Sequence, residues 1–125
     1  MELNQVTLPA TDMAASVAFF RRMGFVQIVD APHYARFQAT QGQATFSLHA
    51  VESVVRPAET VVYFECQALD QQVQALRDRG FVFTQEPTDE PWLWREARLL
   101  DPAGNTICLY HAGENRLNPP WRMGA

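Results

Sequence analysis

Cysteine is scarce in this sequence, and its scarcity excludes a fold based on disulfides. Only Cys66 and Cys108 occur among 125 residues, too few and too dispersed for the cross-linked framework of small secreted proteins. Each lies inside an apolar run typical of a strand. We therefore expect two free thiols in a reducing compartment, and a cytoplasmic location.

Long apolar runs and an excess of positive charge are also missing. No stretch is apolar for long enough to span a bilayer, and the N-terminus lacks the basic start and apolar run of a signal peptide. Ten basic residues against 14 acidic ones give a net charge of -4, whereas phosphate binding needs a clustered basic surface. We expect neither a membrane nor a nucleic acid as a partner.

Apolar residues are abundant enough for one core. They make up 47% of the chain, with 11% of all residues aromatic, but 125 residues leave no length for a second independent domain. We expect a single domain over residues 1–125.

A repeat organises the chain. Residues 21–26 (Arg-Arg-Met-Gly-Phe-Val) match residues 77–82 (Arg-Asp-Arg-Gly-Phe-Val), and the apolar positions before each match have helical spacing. Asp12 is a plausible N-cap for the first helix, and each helix is predicted to stop at a glycine, Gly24 or Gly80.

Strand-like runs flank both predicted helices and define two βαβββ modules. Module one covers about residues 1–50, module two about 60–111, and an arm covers 112–125. The predicted strands are Leu3–Leu8, Phe25–Asp30, His33–Ala39, Gln43–His49, Thr60–Cys66, Phe81–Thr84, Trp92–Leu100 and Thr106–Tyr110. Residues 85–91 are interpreted as an insertion in module two. The fold class is therefore α+β, with tandem modules.

Alternation along the strands separates an oily face from a mixed one. The apolar set contains Val6, Leu8, Phe46, Leu48, Val62, Phe64, Ile107 and Leu109, and it suits burial beneath the helices. The mixed face suits a small-molecule cleft. Its candidate ligand-binding residues are Gln5, Ser47, His49, Tyr63, Glu65, Trp92, Trp94, Cys108 and Tyr110.

Four short motifs stand at residues 12–20 (Asp-Met-Ala-Ala-Ser-Val-Ala-Phe-Phe), 23–25 (Met-Gly-Phe), 95–97 (Arg-Glu-Ala) and 101–105 (Asp-Pro-Ala-Gly-Asn). Together they resemble the vicinal oxygen chelate superfamily, which includes glyoxalase I, extradiol dioxygenases, and fosfomycin- and bleomycin-resistance proteins. The resemblance implies a cupped, barrel-like mixed sheet with helices on its outer face. It also implies a homodimer.

The same resemblance implies where a divalent ion would bind in metal-dependent members. The four positions fall on Gln5, Ser47, Val61 and Cys108, which supply one amide, one hydroxyl, one hydrocarbon and one thiol. A hard ion prefers carboxylate or imidazole donors, and a soft ion prefers several thiolates. We expect no metal and no cofactor. The trio His49, Glu65 and Cys108 is an alternative set that no spacing demands.

Individual residues allow more than one role. His49 and Glu65 are the candidate catalytic bases, although a solvated histidine and a structural ion pair are the simpler interpretations. Arg36 and Arg95 could hold an anionic group or bridge acidic residues across a sheet.

Two functions from different classes follow. The first is a metal-free protein that binds or sequesters an aromatic or cationic small molecule in the cleft, as bleomycin-resistance proteins do. The alternative is a lyase, isomerase or dioxygenase with a noncanonical site. An interaction domain with a vestigial cleft stays open as a third. The arm, with Pro119, Pro120 and Trp121, is expected to fold over the sheet edge or the cleft mouth, or against a partner subunit.

Overall fold

A computed structural model describes residues 1–124; Ala125, the last residue of the predicted arm, lies outside the described residues. The elements in chain order are β1 (Gln5–Ala10), α1 (Met13–Met23), β2 (Val26–Ala31), β3 (Tyr34–Gln38), β4 (Thr45–Ala50), β5 (Val61–Glu65), α2 (Leu69–Asp78), β6 (Gln85–Asp89), β7 (Arg95–Leu100), β8 (Thr106–His111) and a short 3-10 helix (Gly113–Asn115).

Each module forms one open four-stranded sheet. The strand order is β1-β4-β3-β2 in the first sheet and β5-β8-β7-β6 in the second. In both sheets the first strand pairs in parallel with the last, and the other pairs are antiparallel. The predicted α+β fold with two βαβββ modules is confirmed.

The chain forms two compact units that correspond to the modules except for one turn of module two. The first unit contains Met1–Glu59 together with Asp101–Asn105, and the second contains Thr60–Leu100 and residues 106–124. In the first unit the turn at Asp101–Asn105 is tied to β1, because Asn105 Nδ2 donates to the carbonyl oxygen of Pro9 at 2.9 Å. Neither helix among residues 1–124 is long and apolar enough to cross a membrane.

The first helix has the predicted ends. Asp12 has extended backbone angles, and its carboxylate accepts from the Ala15 amide at 3.1 Å. Gly24 ends the helix with a φ of 108°, in the left-handed region that favours glycine. The second helix lacks a side-chain cap, because Ala68 occupies the N-cap position, while Gly80 follows its end with a φ of 94°.

The first module buries an aromatic core beneath α1. Phe20 is fully buried, and its ring lies 5.0 Å from that of Phe46, 5.9 Å from Phe37 and 6.2 Å from Phe25. Phe37 and Phe46 are partners on neighbouring strands and stack on each other. Such ring pairs stabilise a core beyond the area that they bury.

The second module has an aliphatic core. Leu69, Val73 and Leu76 of α2 are buried, as are Ile107 and Leu109 of β8. In both modules the residues predicted to lie beneath a helix are buried or half-buried. Cys66 and Cys108 are free thiols, as expected.

Two strand predictions in module two were wrong. Phe81–Thr84 is not a strand; Phe81 instead packs in the core, and the strand is β6, within the region interpreted as an insertion. Pro87 concealed it, but a register shift between Gln85 and Thr88 accommodates the proline on an edge strand.

The predicted strand Trp92–Leu100 begins three residues too early. The chain turns at Trp92 and Leu93 before β7 begins at Arg95. Leu93 has a φ of 67°, and its amide donates to the Glu90 carbonyl at 3.0 Å. Local turn geometry therefore overrides the β propensity of the two tryptophans.

The presence of a side-chain N-cap on α1 and its absence from α2 predict opposite effects of two substitutions on stability. Asp12→Ala should lower the free energy of unfolding by about 1 kcal/mol, because it leaves the Ala15 amide without its acceptor. Ala68→Ser should raise it by about 0.5–1 kcal/mol by supplying the missing cap. Urea unfolding measures both, and Asp12→Asn is the control that should stay near wild type. Equal stability of all four proteins would contradict the expectation.

Candidate functional site

Three aromatic rings meet on the second sheet, on the face opposite α2. Trp94 stacks on Tyr110 at 4.7 Å, and Tyr63 stands at right angles to both, 5.8 Å from Trp94 and 5.5 Å from Tyr110. We call these three residues the aromatic face. Tyr110 is almost fully buried, whereas Tyr63 keeps 42% of its surface exposed. The buried ring of Tyr110 and the exposed ring of Tyr63 therefore lie side by side.

A buried carboxylate lies beside these rings. Glu96 is 1% exposed. Its Oε1 pairs with Arg98 at 3.1 Å, and its Oε2 accepts from the Trp92 indole nitrogen at 2.6 Å. Arg98 also reaches the Tyr63 hydroxyl at 3.5 Å. The charge of Glu96 is thus compensated within the sheet, as a buried carboxylate requires.

Cys108 is a wall residue of this face. Its side chain is fully buried among Tyr110, Ala112, Val61 and Trp94. Burial, with a further contribution from the Glu96 carboxylate, raises the pKa of the Cys108 thiol to about 12. A nucleophilic or metal-binding cysteine must ionise readily, so this environment opposes both roles.

Glu65 holds the start of the C-terminal segment. Its Oε2 accepts from the amides of Ala112 at 2.8 Å and Gly113 at 2.9 Å, and His111 and Arg116 lie within 3.9 Å and 3.7 Å of the carboxylate. Burial raises the pKa of Glu65, but the two amide donors and the nearby cations outweigh it and lower the pKa overall. These partners compete with the predicted role as a base.

The first sheet carries hydrogen-bonding side chains on the face opposite α1. Gln5 Nε2 donates to Ser47 Oγ at 2.8 Å, and Gln5 Oε1 accepts from the Thr45 hydroxyl. Ser47 Oγ also lies 2.6 Å from the Tyr34 hydroxyl, which accepts from Arg36 Nε at 2.9 Å. We call these five residues the polar face.

The positions that the resemblance assigns to a metal do not form a suitable donor set. In the first unit the Gln5 amide and the fully buried Ser47 hydroxyl already bind each other and their neighbours. In the second unit Val61 has no donor atom, and the Cys108 thiol has a raised pKa. Among residues 1–124, no group of three or more His, Cys, Asp or Glu side chains could hold an ion. These residues do not fit the metal.

The predicted site residues fall into separate groups. Gln5 and Ser47 meet on the polar face, and Tyr63, Trp94, Cys108 and Tyr110 meet on or beneath the aromatic face. His49 lies exposed near the end of β4, and Trp92 contacts the site through Glu96. Glu65 shares its face with Tyr63 but points its carboxylate at the backbone of residues 112 and 113.

Four residues on or beside these faces were not predicted as site residues: Tyr34, Thr45, Glu96 and Arg98. Alternation carried a usable signal, because Glu96 and Arg98 are spaced by two and therefore share a face of β7. The strand assigned there was too long, and only the register shows that Arg98 lies opposite Cys108 and Glu96 opposite Tyr110.

Comparisons with known proteins agree on the fold. Residues 2–109 match the family described as the Glyoxalase/Bleomycin resistance protein/Dioxygenase superfamily. No functionally curated protein matches the sequence.

Solved structures share the architecture at low identity. A bleomycin-binding protein complexed with bleomycin has a TM-score of 0.74 and 19% identity, over 89% of this chain and 98% of that one. A bleomycin resistance determinant encoded on the transposon Tn5 has a TM-score of 0.75 and 19% identity, over the same shares. A glyoxalase/bleomycin resistance protein/dioxygenase from Nocardioides has a TM-score of 0.74 and 23% identity, over 90% and 83%.

The contacts of Glu65 predict a dependence of stability on pH. Its pKa is lower in the folded than in the unfolded chain, so its contribution is present above the unfolded pKa and is lost as the pH falls through the folded pKa. Glu65→Gln should cost about 1 kcal/mol at pH 7, and the difference from wild type should vanish in acid. Urea unfolding from pH 7 to pH 3 measures this. The exposed Glu52→Gln is the control, and a pH-independent difference would contradict the prediction.

Proposed function

Because the chain belongs to the glyoxalase/bleomycin resistance protein/dioxygenase superfamily, we propose that it binds a small flat molecule, aromatic or cationic, on its aromatic face. Binding uses no metal ion. The observation that carries the proposal is the cluster of Tyr63, Trp94 and Tyr110, in which Tyr63 is 42% exposed beside the almost fully buried Tyr110.

Stacking is the interaction that these rings offer. Aromatic pairs are worth about 0.5–1.5 kcal/mol beyond the area that they bury, and Tyr63 is exposed enough to gain a further partner. Ring faces also attract cations, and a chain with a net charge of -4 favours a cationic ligand over an anionic one at this face. A planar molecule bearing positive charge satisfies both.

The comparison structures support the same class of function. One protein with this fold is a bleomycin-binding protein in complex with bleomycin, so the superfamily includes small-molecule binding. At 19% identity the likeness establishes the fold alone. The aromatic face is what extends the function to this chain.

Binding is favoured over turnover by the environments of the two candidate bases and of Cys108. The Glu65 carboxylate holds two backbone amides, and His49 lies exposed near the end of β4. Burial raises the pKa of the Cys108 thiol to about 12, which opposes a role as nucleophile. The alternatives of a lyase, isomerase or dioxygenase have no comparable support from the side chains of residues 1–124. The homodimer, the single domain and the cytoplasmic location stay predictions.

Substitution of Trp94 should weaken ligand binding. Metal-free bleomycin and a planar aromatic cation such as ethidium serve as probes, and calorimetry gives the dissociation constant without depending on tryptophan fluorescence. Trp94→Leu should raise Kd about tenfold, which is about 1.4 kcal/mol, because it removes the stacked ring. Tyr63→Leu should act in the same direction.

The matched control is Trp121→Leu, since Trp121 is exposed and lies in the C-terminal segment. It should leave Kd unchanged. Thermal unfolding checks that each variant is folded. Failure of both probes to bind wild type, or equal weakening by Trp121→Leu, would refute the assignment of the aromatic face.

Metal independence is tested separately. Titration of the purified protein with nickel, zinc, manganese and ferrous ions should reveal no one-to-one binding tighter than about micromolar, or about -8 kcal/mol, because the donor set is poor in anionic and imidazole groups. Elemental analysis should agree. A tight one-to-one site abolished by Gln5→Ala or Cys108→Ala would show that the proposal is wrong on this point.

A further inference from the structure

Arg36 is a half-buried cation on the polar face. Its Nε donates to the Tyr34 hydroxyl at 2.9 Å, and its guanidinium carbon lies 5.4 Å from the centre of the Tyr34 ring. Ion pairs are formed by Arg77, Arg95, Arg98, His111 and Arg116. No ion pair of Arg36 is found among the described residues.

Arg95 shows the contrast. The sequence left both arginines open as anion ligands or as cross-strand bridges. Arg95 is bridged, because Asp70 accepts from it through both oxygens and Asp89 accepts from Nη1 at 3.0 Å. The terminal nitrogens of Arg36 are directed to no carboxylate among the described residues. A partly desolvated guanidinium favours an anionic partner.

The hydroxyl network determines where the Tyr34 proton points. Ser47 Oγ accepts from Gln5 at 2.8 Å, and because it is fully buried, the Tyr34 oxygen at 2.6 Å is the available partner for its own proton. The Tyr34 oxygen then accepts from both Ser47 and Arg36, which leaves its O–H as a donor. The two hydrogen bonds, that of Ser47 first, lower the pKa of Tyr34 and strengthen this donor.

We propose that Arg36 and Tyr34 form an anion-binding subsite on the first sheet, which takes the carboxylate or phosphate group of a small ligand. The planar guanidinium supplies two parallel N–H donors, and the Tyr34 O–H supplies a third. Both residues are on β3, two positions apart, so they share one face of the strand. Ser47 and Gln5 are positioning residues that orient the Tyr34 hydroxyl.

The subsite goes beyond the proposed function. It involves β3 and β4 of the first unit, whereas the aromatic face involves β5, β8 and the residue just before β7 in the second. A variant of Trp94 tests the aromatic face, and a variant of Arg36 tests the anion-binding subsite. Failure of one proposal can therefore be distinguished from failure of the other.

Nuclear magnetic resonance with simple anions tests the subsite. Sodium benzoate and inorganic phosphate are titrated separately at constant ionic strength, and the Arg36 Nε–Hε signal reports binding. Arg36→Gln should weaken binding, followed by β3 amide shifts, at least tenfold. Tyr34→Phe should weaken binding about threefold to tenfold. The affinity of Arg36→Lys should lie between those of wild type and Arg36→Gln, because lysine keeps the charge but lacks the two parallel N–H donors.

Arg21→Gln is the matched control, since it removes the same charge from α1 of the same unit. It should leave affinity unchanged. Saturable binding of benzoate alone assigns a carboxylate, and of phosphate alone a phosphate group; both outcomes support the subsite. No saturable shift with either anion, or equal weakening by Arg21→Gln, would overturn it. Circular dichroism confirms folding, and Arg36→Lys keeps the test decisive if Arg36→Gln does not fold.

Discussion

Burial of one face of each sheet beneath its helix is the constraint on which the rest of the structure depends. In module one Phe20 of α1 packs fully buried against Phe37 and Phe46. Because side chains alternate along a strand, this commits Tyr34, Arg36 and Ser47 to the opposite face. The same commitment in module two places Trp94 and Tyr110 away from α2. The polar face and the aromatic face are thus a consequence of core packing.

The two modules use their second faces differently, although they share one topology. Module one has amides and hydroxyls that bind one another, with a cation at the edge of the network. Module two has stacked rings and a compensated carboxylate. In both modules apolar residues occupy the positions under the helix, where burial penalises polar or smaller side chains. The side chains on the opposite faces differ between the modules in their chemistry.

At the positions that bind a metal in metal-dependent members of the superfamily, as the resemblance implies, the side chains of this protein are hydrogen-bonded or packed instead. Gln5 and Ser47 satisfy each other, and Cys108 is enclosed by aromatic and aliphatic neighbours that keep its thiol neutral. A buried polar network is stable only when its members are paired. The fold can therefore keep its shape without an ion, and the recognition that we propose relies on side-chain donors and rings.

Much of this could be read from the sequence because the signals are local. Asp12 and Gly24 define a helix by their own backbone preferences, the repeat reveals two modules, and alternation separates the two faces. Register is not local. The pairing of β7 with β8 decides that Glu96 and Arg98 join the aromatic rings, and a bulge decides that Pro87 lies within a strand. Whether Arg36 or Arg95 pairs with a carboxylate depends on which strands and helices become neighbours. Only the tertiary structure decided this, because such contacts join residues that are distant in the chain.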